Sequence, residues 1–242
     1  MLLALCARTS LVAQEKAASS QQSGVPVPFV GCKSDGPSDL REAPKGTKTS
    51  VSVTTKAAQV LVSYRSPEGL SVLAPRCWYC LGLYSSGGDS LYVGPQPIDE
   101  SRIGRSGFAG PIIEISHNFG DTSGRSHVAE IVARVFPAYR AFATHVSEEG
   151  LGGPFKFGPF PKDELTYKSN RVVEYKTPAQ TEGLGTHAWL KKNGSPIEGV
   201  AMLVGQTHDL LLLSVRLPPG LNGITSLIIR QFERAAGRSD RH

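Results

Sequence analysis

Long apolar runs, basic stretches and paired metal motifs are all missing from this chain of 242 residues, and each absence removes a class of protein. No run approaches the ~18 apolar residues that a membrane-spanning helix needs. The 26 lysines and arginines exceed the 21 acidic residues, for a net charge of +5 and a pI near 9.1, yet they are scattered. Without a basic stripe or a basic–aromatic motif there is no nucleic-acid footprint. Charged residues amount to only 19 % and hydrophobic ones to 40 %. That balance argues against global disorder and permits a packed core. No internal repeat is present.

Cysteine is scarce too, with four in the chain. Cys77-Trp78-Tyr79-Cys80 is a C-x-x-C pair without a second pair. His117, His127, His145, His187 and His208 show no H-x₃₋₅-H spacing, so no metal site is expected. A thioredoxin-type pair needs a helix N-terminus to lower its thiolate pKa. The residues after Cys80 read instead as strand and Gly-rich turn. A structural disulfide in an exported protein is the remaining reading. Met1–Gln22 supports export: Leu2-Leu3-Ala4-Leu5 and Leu11-Val12-Ala13 precede a polar, small-residue run, like the back half of a signal peptide. With Cys6 removed in that leader, Cys32, Cys77 and Cys80 leave one bridge and one odd thiol. The expected location is extracytoplasmic, periplasmic or secreted.

What the chain has in excess is glycine and proline, 26 and 17, above the usual combined share of roughly 12 %. Many turns follow, and a helical bundle is excluded. The longest apolar runs are near the C-terminus. Gly199–Val204 and Asp209–Leu217 read as a hairpin covered on both faces, turning at Gly205-Gln206-Thr207-His208. Pro218-Pro219-Gly220 stops the second strand. Asn222 is placed to cap a helix with Ile224, Leu227, Ile228, Gln231, Phe232 and Ala235 inward and Gly237 as its C′ residue. Upstream, Val25–Cys32 reads as an edge strand, and Val51 and Val53 as a short one. Thr54 or Thr55 caps a helix running through Tyr64. Trp78–Tyr84 and Ser90–Val93 form a hairpin, and Pro111–Ser116 is a strand. A helix opens at Asp121-Thr122-Ser123 with Val128, Ile131, Val132 and Val135 on one face. A second, past Pro137, ends at Gly150. Arg171–Tyr175 is a strand.

The expected fold is therefore α+β: one domain over 23–237, with a mainly antiparallel sheet and about four helices packed on it. Residues 151–162 mark a subdomain boundary if there is one, and 238–242 form a disordered tail.

Catalytic motifs fail on inspection. Gly120–His127 echoes a protease loop and a phosphate loop, but the G-x-S-x-G elbow and the phosphate-loop lysine are absent. A strand-to-helix turn is the plain reading. The sharper one is an anion-binding site of Asp121, Thr122, Ser123 and Arg125 at a helix N-terminus. The Gly/Pro/Phe stretch 151–161, with Phe155, Phe157 and Phe160, is a candidate recognition loop. Asp99-Glu100, Glu148-Glu149 and Asp163-Glu164 read as solvated surface. The leading expectation is a non-enzymatic exported binding or cell-envelope accessory protein. It needs no cofactor, and its partner is an envelope protein or a small anionic ligand. The alternative is a hydrolase using Ser123 with His187 or His208, and Asp209 as a third member.

Val30–Gly36 (VGCKSDG), Ala74–Gly82 (APRCWYCLG) and Ser169–Tyr175 (SNRVVEY) resemble segments of a group of exported bacterial proteins. The resemblance spans most of the chain beyond the N-terminus and brings no activity with it. It implies that Cys32 pairs with Cys80, and that Cys77 is a departure from the group's pattern. More loosely, the strand–strand–loop–helix ending is similar to that of Mog1/PsbP-type α/β/α sandwiches, an analogy of fold alone.

Overall fold

The C-terminal hairpin lies near the middle of the molecule. In a computed structural model, which describes residues 24–99, 103–104 and 106–239, β11 (Ile197–Val204) and β12 (Asp209–Arg216) pair antiparallel from Glu198↔Val215 to Val204↔Asp209. They stand inside an eight-stranded sheet that also contains β2 (Ser34–Asp35), β6 (Tyr79–Tyr84), β7 (Gly88–Gly94), β8 (Ile112–Asn118), β9 (Glu164–Ser169) and β10 (Val172–Thr177). Its order is β2-β6-β7-β8-β12-β11-β10-β9, antiparallel except for β2 against β6. Both faces of the hairpin are covered, as its unbroken apolar runs predict.

A second sheet of four strands has the order β3-β1-β4-β5. It comprises β1 (Val25–Gly31), β3 (Lys48–Val51), β4 (Leu61–Arg65) and β5 (Ser71–Pro75). Four helices complete the described residues' α-helical structure outside 103–106: α1 (Thr55–Val60), α2 (Arg125–Val135), α3 (Arg140–Glu148) and α4 (Thr225–Ser239). The four-stranded sheet and α4 cover one face of the large sheet around Val93, Ile113, Ile115, Val200, Leu213 and Val215. The other face carries α2 and α3 over Tyr92, Ile112, Ala201, Leu203, Leu210 and Leu212. The fold is thus one α+β domain in three layers.

Four local readings change. Residues 61–64 are strand, not helix: Thr54 caps α1 through Ala57 N (3.2 Å), but Leu61–Tyr64 are buried on both sides and pair with β5. Burial on two faces suits an extended segment, and it overrides the short helical spacing. Pro67 and Gly69 accordingly turn a hairpin.

β1 is interior, not an edge. Its Pro26 and Pro28 lie in the half that pairs only with β3, while β4 joins from Phe29 onward. Phe29 N–H donates to Thr47 O (3.2 Å), so by alternation the two prolines face the side that lacks a partner there. The last helix begins at Thr225, after a 3₁₀ turn over Pro219–Ile224, so Asn222 is not its cap. It also runs past Gly237 to Ser239, into the expected tail. Its buried positions are Thr225, Ile228, Ile229, Phe232 and Ala236, a face turned by about one residue from the expected one. The expected leader 1–22 lies outside the described residues.

Cys32 and Cys80 form a disulfide with Cα atoms 5.5 Å apart, and Cys77 is a free, exposed thiol. The bridge joins the end of β1 to β6, and so ties one sheet to the other. No helix among the described residues is long and apolar enough to cross a membrane.

Candidate functional site

The turn Asp121–Gly124 is first of all a seat for the β6–β7 hairpin. Phe119 N donates to Gly87 O (3.0 Å), and the hydroxyls of Ser86 and Ser123 share a hydrogen bond (3.1 Å). A Cβ at position 124 would stand 2.0 Å from Gly87 O, which requires glycine there. Gly124 is the N-cap, and no side chain caps the helix. Amides at this end are already used: Gly124 N by Thr122 Oγ1, Arg125 N by Thr122 O and His127 N by Gly124 O. Arg125 pairs with Glu149 (2.6 Å). The geometry therefore offers an anion little beyond the exposed side chains of Asp121, Thr122 and Ser123.

One turn further along α2, chemistry does collect. Val128, Ile131, Val132 and Val135 are buried toward the sheet, which leaves His127, Glu130 and Arg134 on an adjoining flank at i, i+3 and i+7. Residues 151–162 fold back onto that flank. Gly158 N donates to Ala133 O (2.9 Å), and the Arg134 guanidinium lies 4.3 Å from the centre of the Phe160 ring. Phe155 and Phe160 pack against the core, while Phe157 stays 44 % exposed. Of the three expected recognition aromatics, two anchor the loop and one is presented. The stretch taken as a subdomain boundary is thus clasped to the body of the domain.

His187 arrives at the same place from a tight 3₁₀ turn, Leu184–Thr186. Asp163 holds that turn: Oδ2 accepts from Leu184 N (2.7 Å) and Oδ1 from Thr177 Oγ1 (2.7 Å), while Thr177 Oγ1 accepts from Gly185 N (3.0 Å). Burial raises the Asp163 carboxyl, with those two hydrogen bonds pulling the other way. Asp163 is consequently not the solvated surface group its sequence neighbourhood implies. The sequence carried no signal for this role, because its partners are set by the return of β10.

The His187 Nε2 lies 3.4 Å from Glu130 Oε2, and its ring stacks on His127 at 5.3 Å with planes 24° apart. The donor atoms of His127, Glu130 and His187 all fall within 4.8 Å of one another. Burial, then the charge of His187, lowers the His127 pKa, with Glu130 opposing. His127 is therefore neutral at neutral pH. A cavity of about 420 Å³ adjoins the cluster, lined by Ser126, His127, Glu130, Arg134, Pro154 and Lys156 among others. The expectation of no metal-ligating group rested on close His–His spacing. It missed a cluster whose histidines come from distant segments and whose only local signature is H-x-x-E on one helix face.

The remaining candidates are dispersed. His208 packs between Tyr139 (5.2 Å) and Phe142 (5.3 Å). Asp209 accepts from Gly120 N and Thr207 and faces His117 Nε2 at 3.7 Å. No hydrogen bond among the described residues joins Ser123 to His187 or His208. Compared with family models, curated proteins and solved structures, the chain matches none.

Proposed function

We propose that the protein acts outside the cytoplasm as a non-enzymatic binding or cell-envelope accessory protein. Its recognition surface is the pocket between α2 and residues 151–162. The observation that carries this reading is the convergence of that loop with His127 and Glu130 around one cavity, with His187 beside them. The cavity is concave and mainly polar, with Ser126, His127, Glu130, Arg134 and Lys156 converging on it and Phe155 as an aromatic wall, and convergent polar groups in a cleft fix the orientation of a ligand. The Cys32–Cys80 bridge supports the compartment, since disulfides persist in oxidising surroundings. The resemblance to exported bacterial proteins points the same way. Arg134 and Lys156 at the cavity favour an acidic envelope protein or a small anion. The hydrolase reading lacks comparable support, because a nucleophile and its base must meet within about 3 Å and Ser123 shares its hydrogen bond with Ser86.

The test is a photo-crosslinking side chain at position 156, where the exposed Lys156 lines the pocket, against one at Tyr79, which is 51 % exposed in β6. Both are followed in the extracytoplasmic fraction, with thiol alkylation before and after reduction. A crosslinked species specific to position 156, with Cys32 and Cys80 blocked until reduction, is expected. Equal crosslinks from both positions, or all three thiols free, would overturn the proposal.

A further inference from the structure

We propose that His127, Glu130 and His187 bind a divalent d-block cation, with Zn²⁺ the ion they fit best. The inference rests on the binding function above and uses the same pocket, but it stands on different atoms: the imidazole and carboxylate donors rather than the loop 151–162.

The donor set comes first. Two imidazoles and one carboxylate match the ligand sets of open zinc sites, whereas Ca²⁺ and Mg²⁺ take oxygen donors throughout. No thiolate is involved, so the softer Cu(I) is disfavoured. The distances agree as well. Two ligands each about 2.0–2.1 Å from a tetrahedral ion stand about 3.4 Å apart, and His187 Nε2 lies 3.4 Å from Glu130 Oε2. All three donor atoms fit within 4.8 Å, so only small side-chain rotations separate this arrangement from coordination.

Each ligand is also held in place. His127 and Glu130 are one helical turn apart on α2, whose opposite face is locked in the core. His187 follows the turn that Asp163 and Thr177 fix. Its side chain is only 15 % exposed, which limits its freedom to swing away. Three protein ligands leave a coordination position free. His127 and Glu130 line the cavity, so that position faces an opening of about 420 Å³ where water or a partner's acidic group can enter.

The experiment is a titration of the tag-free, chelator-stripped chain with Zn²⁺ by calorimetry, repeated for His127→Ala, His187→Ala, Glu130→Gln and Cys77→Ser. One ion per chain is expected. Losing a direct ligand should weaken binding at least as much as losing an outer-shell partner, about 10–100-fold, whereas Cys77→Ser should leave it unchanged. Because a variant can fail to fold, the imidazole NMR signals of the unaltered chain give a second readout. Zn²⁺ should move those of His127 and His187 and leave His117 and His208 in place. Sub-stoichiometric uptake, uptake that survives both alanine variants, or uptake lost in Cys77→Ser overturns the site. Position-156 crosslinks without Zn²⁺ uptake remove the metal site and keep the binding function. Zn²⁺ uptake without those crosslinks does the reverse.

Discussion

The two faces of the eight-stranded sheet are built from the same strands and differ in chemistry. Toward the four-stranded sheet, β8 and β12 present Ile113, Ile115, Leu211, Leu213 and Val215. Toward α2 and α3 the same strands present Ile112, Glu114, Ser116, Leu210, Leu212, Ser214 and Arg216. In register, Tyr92, Glu114 and Ser214 lie side by side, followed by Gly199 and Tyr175. Tyr175 reaches across Gly199 to Ser214 Oγ (2.7 Å) and Leu213 O (3.1 Å); a Cβ at Gly199 would stand 2.6 Å from its hydroxyl. One face is apolar through its centre, with Asp89, Glu174 and Glu198 toward its margins. The other holds buried polar groups and, at its outer margin, the candidate site. The apolar face therefore supplies stability, while the polar face fixes loops in defined positions, as a site requires.

Each face has its own fastening, and removing them separately sharpens the contrast. On the apolar side Cys32 and Cys80 are 48 residues apart, and closing such a loop stabilises by about 4 kcal/mol in the chain-entropy account. Cys32→Ala with Cys80→Ala should lower the unfolding free energy by about that amount in urea titration. It should leave Zn²⁺ uptake by the folded fraction intact. A loss under about 1 kcal/mol would show that the two sheets hold together without the bridge.

On the polar side the fastening is Arg216, 1 % exposed, whose guanidinium donates to Gly110 O (2.9 Å), Phe108 O (2.6 Å) and Lys191 O. It ties 107–111 to 189–191, where Phe108 N and Trp189 O also pair (2.7 Å). Arg216→Met keeps much of the volume and strands the Gly110 and Lys191 carbonyls, while Phe108 O keeps the Lys191 N–H, so a loss of about 3 kcal/mol is expected. Hydrogen exchange should quicken at Gly107–Gly110 and Trp189–Lys191 before it quickens in β11 and β12. Uniform acceleration would mean that the two faces do not open independently.

How much of this was legible follows the same division. Apolar segments were written in the chain on both faces: the hairpin of β11 and β12, the amphipathic α2 and the closing helix all follow from runs and spacings that local burial dictates. Their ends were less legible, since a Cβ at Gly237 would meet nothing within 4 Å and the helix simply continues through it. The polar face was almost silent. Glu114 and Arg216 sit in strands whose neighbours are apolar, and nothing local says whether such a residue points to solvent or into a core. Only register decides it, and register depends on strands far away in sequence. The site divides likewise. His187 and the Phe155–Phe160 loop stood out by composition, but their meeting with His127 and Glu130 depends on how α2 and the 3₁₀ turn are packed. Asp163 was read as surface because its hydrogen-bond partners lie beyond its own segment.

Above pH 6 the polar face should dominate the pH response, since burial raises Asp89, on the other face, only to about 6. Glu114 is 2 % exposed, and neither carboxylate oxygen has a well-formed hydrogen bond. Burial pushes its pKa up to about 8, with the Trp189 backbone and the Tyr92 hydroxyl pulling weakly the other way. In the unfolded chain the same carboxyl titrates near 4.3. Between those values the folded state holds the extra proton, so stability is greatest below the lower value and falls as pH rises toward 8. The slope approaches about 1.4 kcal/mol per pH unit for one group. Glu114→Gln keeps the shape without a titrating proton, so between pH 6 and 7 its unfolding free energy from urea titration should be flatter by roughly that slope. Substitutions on the apolar face, such as Ile113→Val, should lower the whole curve by about 1 kcal/mol and leave its pH dependence unchanged. If Glu114→Gln retained the full pH dependence, the sensor would have to be sought elsewhere. His127 is the next group to examine. Its lowered pKa weakens the fold as pH falls below the ordinary histidine range, the opposite sign, so the two contributions separate in one titration.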